Sequence, residues 1–158
     1  MAGTMTVSGM EQISEMLTKL GEQAESVAAL GLYDGAGVMA DAVNQAAGSI
    51  KTETFRYTAF GQRLPSPEEA AAVQKGAGVA KFEKNGSEVS TSVGFGGAGY
   101  ADVAGRRKPI AQIANAINSG TSFMAKQPFI RKAANAAKER AGTAIVQAME
   151  QKINEMTK

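Results

Sequence analysis

The sequence predicts an α+β fold in a single domain: an antiparallel β-sheet with N-terminal helices, and a long C-terminal helix packed on it. Three observations lead there. Apolar residues recur at helical spacing at both ends of the chain, the middle alternates with a period of two, and an Asn-Gly pair divides that stretch as a hairpin turn would. The 158 residues suffice for one core and are few for two. A 44% apolar and 20% charged composition is that of a globular chain. Aromatic residues make up only 6%, with no Trp, so the core is expected to rest on close helix contacts filled by Leu, Ile, Val and Met.

Residues 1–7 read as a flexible arm. Ser8-Gly-Met-Glu11 has the spacing of a capping box, and Met10, Ile13, Met16, Leu17 and Leu20 then mark a first helix that Gly21 bends or ends. A second helical pattern carries Val27, Leu30, Val38, Ala42 and Val43. Its three glycines, Gly31, Gly35 and Gly37, each cost about 1 kcal/mol relative to Ala in a helix. They imply a break near Asp34 or, the reading we favour, a place where another backbone comes close. Residues 50–57 alternate like a strand. Leu64-Pro-Ser-Pro67 ends that stretch, and Ser66 caps a short helix with Pro67 in its first position and Glu68 and Glu69 in its first turn.

Residues 78–95 are the clearest β signal, an antiparallel hairpin with a type I′ turn at Asn85-Gly86. Residues 94–108 read as a glycine-rich and basic loop ending in Arg106-Arg107-Lys108. Pro109 then opens a short helix with Ile110, Ile113, Ala114 and Ile117 on one face. An irregular segment follows, and Pro128 starts the last helix. Its apolar stripe is expected to be Ile130, Ala134, Ala137, Ala141, Ile145, Ala148, Met149, Ile153 and Met156.

The inventory argues against catalysis. With no His and no Cys, the common nucleophile–base pairs, thiol chemistry, disulfides and most transition-metal sites are absent, so no catalytic residue, cofactor or metal is assigned. Gly94-Phe-Gly-Gly-Ala-Gly99 matches a dinucleotide-binding pattern by letter only. No helix opens directly after it, and 115–121 holds no acid at the expected distance. A net charge of +2 gives no general case for nucleic acid or an anionic membrane, and no window approaches the ~18 apolar residues of a membrane span. The polar N-terminus has no apolar signal core. Arg106, Arg107 and Lys108 are the candidate DNA-proximal residues, since three cations repeated around a ring would add their phosphate contacts.

The segment Asn118-Ser-Gly-Thr-Ser-Phe-Met-Ala-Lys-Gln-Pro-Phe-Ile-Arg131 says most about function. Large apolar residues in an irregular stretch need cover, either from their own domain or from another chain. Phe123, Met124, Gln127, Pro128, Phe129 and Ile130 are therefore the candidate interface. The order of Gly120-Thr-Ser122, Gln127-Pro-Phe-Ile130 and Arg131-Lys-Ala-Ala134, after an opening helix at 10–20, resembles the tail-component or tail-completion (head–tail joining) family of long-tailed siphophages, related to the minor tail protein Z group. Asn118-Ser119 stands where that family often has an acidic or aromatic residue.

The resemblance implies a structural virion protein of the neck or upper tail, made in the host cytoplasm. It would form a ring, a hexamer, and bind head-closure (stopper) and adaptor proteins on one side and the tail terminator or tail tube protein on the other, with no membrane. Non-specific DNA contact in the channel is a further expected partner. Two alternatives remain: a tail terminator or other head–tail connector, and a DNA-contacting module lining the channel.

Overall fold

The computed structural model describes residues 10–53, 61–86 and 88–158. The Ser8 cap, the 1–7 arm and the second half of the 50–57 stretch lie outside these residues. The fold is α+β in a single domain, with a long helix at each end and antiparallel strands between them.

The N-terminal patterns form one helix, α1 (Met10–Ala47, 38 residues), rather than separate helices. Gly21 does not end it. The reason is tertiary. Gly31 and Gly35 face the C-terminal helix α4 (Phe129–Met156). A Cβ on Gly31 would stand 2.6 Å from Met149 Cγ and 3.1 Å from the Ile145 carbonyl, and one on Gly35 would stand 3.1 Å from the Ala141 carbonyl and collide with Ile145. Packing against α4 thus offsets the weak intrinsic helicity of this glycine-rich stretch. The two helices run antiparallel, since residues later in α1 meet residues earlier in α4.

Residues 50–53 form no strand; they are held in other ways described below. Helix α2 (Pro67–Val73) begins as expected, with Ser66 as its cap, and adds a full capping box closed by Glu69. The hairpin is present in two pieces. β1 (Gly78–Val79) pairs with β4 (Val93–Gly94), and β2 (Glu83–Asn85) pairs with β3 (Glu88–Ser90). Its turn is displaced by one residue from the expected position. Asn85 pairs with Glu88 as the last strand residue, and Gly86, at φ +63°, takes the left-handed place.

The largest correction concerns 94–108, which is mostly a second hairpin. β5 (Tyr100–Val103) pairs with β6 (Arg106–Pro109) through Ala104-Gly105, both at positive φ (49° and 74°), as a two-residue type I′ turn requires. The antiparallel strands are therefore three separate two-stranded ribbons. Helix α3 (Ile110–Ser119) then buries Ile113, Ala114 and Ile117, the expected face.

Along α4 the first buried turns are Phe129, Ala133, Ala137 and Ala141, so Ala133 takes the place expected of Ala134. The core joins Val43 and Ala47 of α1, Val73 of α2, Phe95, Val103, the inner face of α3, Met124, and Phe129 with Ala133 and Ala137. Phe95 and Phe129 meet edge to face at 6.2 Å between ring centres. Asn44 of α1 clamps the hairpin through both atoms of its amide. Its Nδ2 donates to the Ala77 carbonyl at 3.0 Å, and its Oδ1 accepts from the Ala77 N–H at 2.9 Å.

Candidate assembly surface

Between α3 and α4 the chain makes one tight turn whose hydrogen bonds come from Thr121. Its N–H donates to the Met124 carbonyl at 2.9 Å, and its hydroxyl oxygen accepts from the N–H groups of Phe123 (3.2 Å) and Met124 (2.9 Å). A neighbouring segment fixes the other side of the turn. The Arg63 N–H donates to the Phe123 carbonyl at 2.8 Å, and the Ala125 N–H donates to the Arg63 carbonyl at 2.9 Å. Gly120, at φ +75°, ends α3 and faces the Lys126 backbone, where a Cβ would stand 3.0–3.2 Å from Lys126 atoms.

This turn separates the six sequence-flagged residues by role. Met124 (4% exposed) and Phe129 (7%) enter the core of their own chain. The Gln127 amide pairs with the backbone of Lys51, accepting its N–H at 2.8 Å and donating to its carbonyl at 2.9 Å, so a side chain holds 50–53 where a strand was expected. Pro128 is the N-cap of α4 and offers no capping side chain; instead Asn118 Oδ1 accepts the Ile130 N–H at 3.1 Å. Ile130 is half-buried against the core. Phe123 alone of the six projects, at 75% exposure on a turn fixed from both sides.

Below the turn, Arg63 grips Glu69 in a two-pronged ion pair, Nη1 to Oε2 at 2.6 Å and Nη2 to Oε1 at 2.8 Å. Glu69 also accepts the Ser66 N–H at 2.9 Å, and Lys108 Nζ lies 3.6 Å away. Burial alone would push the Glu69 carboxyl up. The hydrogen bonds from Arg63 and Ser66 and the charges of Arg63 and Lys108 outweigh it and hold the group below the ordinary carboxylate range. Glu69 is a first-turn charge, as expected, and it is the one buried charged residue among those described. The Ser66-x-x-Glu69 spacing is the sequence signal that points to it.

The basic cluster does not converge. Because it lies on a strand, successive side chains leave opposite faces. Lys108 turns inward to Glu69, Arg107 lies over the exposed Tyr100 ring at 4.8 Å, and Arg106 sits exposed beside the turn. The Gly94–Gly99 motif joins β4 to β5 with no helix behind it, so it lacks the geometry of a pyrophosphate loop.

A cleft of about 500 Å³ opens beside Gln127. Ile50, Leu64, Pro128 and Phe129 form its apolar part, and Lys51, Lys126 and Lys132 are exposed around it, with no acidic side chain among its lining residues. Among the described residues no group of three or more His, Cys, Asp or Glu could hold a metal ion, and no helix is long and apolar enough to cross a membrane.

No protein-family model, curated protein or solved structure matches the chain.

Proposed function

We propose that this protein is a non-enzymatic assembly component of a siphophage neck or upper tail, in which copies form a ring that docks the tail to the head-closure connector. The observation that carries the proposal is Phe123. Its ring stands in solvent while Thr121 and Arg63 hold the backbone on either side of it. A large apolar side chain on a rigid turn loses little conformational freedom on binding, which is what an interface anchor needs. The adjacent lysine-rimmed cleft suits acidic and apolar side chains of the same partner. The Gly-Thr-Ser and Gln-Pro-Phe-Ile elements behind the resemblance are the ones that shape this turn and start α4.

The test is complementation. Virions made with Phe123→Ala protein should leave heads and tails unjoined, while the purified variant melts like wild type. Normal joining by that variant would remove Phe123 from the docking role.

A further inference from the structure

The α1–α4 seam ends before α1 does. Gly31 meets Met149 and Gly35 meets Ile145, so each step back along α1 matches a step forward along α4. The end of α4 at Met156 thus falls opposite the stretch near Ala24. The first turns of α1, about 20 Å of helix at 1.5 Å per residue, project past it. The contact stripe nevertheless continues. Counting back from Gly31, steps of four and three residues reach Val27, Ala24, Leu20 and Leu17. Val27 is 2% exposed, whereas Leu17 is 63% exposed.

A second unpartnered face lies on α4, to one side of the seam. Arg131, Lys138, Gly142 and Val146 share it at spacings of seven, four and four, all four are exposed, and Val146 is 53% exposed. Among the described residues nothing lies within 4 Å of a Cβ placed on Gly142; the same is true of Gly21, which lines an open cleft between α1 and Lys84, Gly86 and Val89 of the hairpin. Where this molecule does press two helices together, at Gly31 and Gly35, the glycines are filled by the facing helix. The charges of the two faces are opposite. Glu15 and Glu22 against Lys19 make the projecting turns acidic, Glu25 at their base being paired with Lys84 of the hairpin, and Arg131 and Lys138 make the first half of the α4 face basic, ahead of Glu150 one turn beyond Val146.

We propose that the projecting turns of α1 dock, through Leu17 and Gly21, on the Arg131–Lys138–Gly142–Val146 face of α4 in a second copy of this chain. Pairing of two projecting segments with each other would set acid against acid, so the opposite charges select the head-to-tail arrangement. Two different surfaces on each copy give a heterologous contact, which closes into a ring when the rotation between copies allows. A single helix lying on a helix buries less than a stand-alone interface, so the assembly is reversible, concentration-dependent and weakened by salt. This inference deepens the ring reading above and rests on it only for the closed form.

The chain has no cysteine, so disulfide trapping in full-length protein starts from a clean background. Single-cysteine variants Leu17→Cys and Val146→Cys, mixed under mild oxidant, should cross-link to each other at least tenfold faster than either does with itself or with an exposed control, Gln112→Cys. Dominant Leu17→Cys self-linking, or no excess over the control, would overturn the proposal. Sedimentation of Leu17→Lys should show loss of the larger species with an unchanged melting curve. Wild-type assembly by this variant, or a wild type that stays monomeric at high concentration, would also overturn it. Rings that persist in Leu17→Lys would leave the neck reading standing and sink this contact. A trapped contact in a protein dispensable for head–tail joining would do the reverse.

Discussion

Arg63 and Glu69 join three parts of the molecule through a two-pronged ion pair with contacts of 2.6 and 2.8 Å. The Arg63 backbone pairs with the Phe123 turn, Glu69 closes the cap of α2, and Lys108 brings in the β5–β6 hairpin. Arg63→Ala should cost about 2–3 kcal/mol, less than a fully buried pair because its guanidinium is more than a third exposed, measured by urea denaturation. A loss below about 0.5 kcal/mol would mean that Lys108 alone suffices for Glu69.

The same carboxylate sets an acid limit. Its folded-state value lies below the ordinary one, so its stabilisation is complete above the usual glutamate value of about 4.3 and disappears as pH falls through the folded value. Between pH 5 and pH 2, wild type should lose melting temperature faster than Glu69→Gln, which keeps a capping-box side chain but carries no charge. Parallel acid profiles for the two proteins would contradict this.

The glycines of α1 should respond in opposite directions. Gly35→Ala forces a methyl against Ile145 and the Ala141 carbonyl and should destabilise by about 1–3 kcal/mol despite better helix propensity. Gly37 has nothing within 4 Å of a Cβ, so Gly37→Ala should stabilise by about 0.4–1 kcal/mol. Chemical denaturation of the two variants side by side reads both signs.

The two phenylalanines of the flagged segment should separate stability from docking. Phe129, 7% exposed and packed on Phe95, should cost about 3–5 kcal/mol as Phe129→Ala. Phe123→Ala should stay within about 0.5 kcal/mol of wild type. Thermal melts showing equal losses would mean that Phe123 is structural.

Much of the fold was legible because its signals are local. The 3.6-residue stripe of α3, the Ser66 cap and the alternation of 78–95 all depend on near neighbours in sequence. What escaped was set by partners far along the chain. Gly31 and Gly35 are met by another backbone, as favoured, but nothing local says that it is α4. Gln127 looks like a surface polar residue until Lys51, 76 positions away, presents its backbone. The β5–β6 hairpin was missed because Ala104-Gly105 replaces the usual Asn-Gly, and apart from Tyr100 and Val103 its short strands hold Ala, Asp, Arg, Lys and Pro, which are not strong strand formers. At the candidate surface the sequence marked one segment but not the division within it, since nothing local tells the buried Met124 and Phe129 from the exposed Phe123.

The proposed role, filling a place between other virion parts, is read out by head–tail joining in particles made without this protein. We expect filled heads and finished tails to accumulate separately, and to join when purified wild-type protein is added back. Intact, infectious particles assembled in its absence would contradict it.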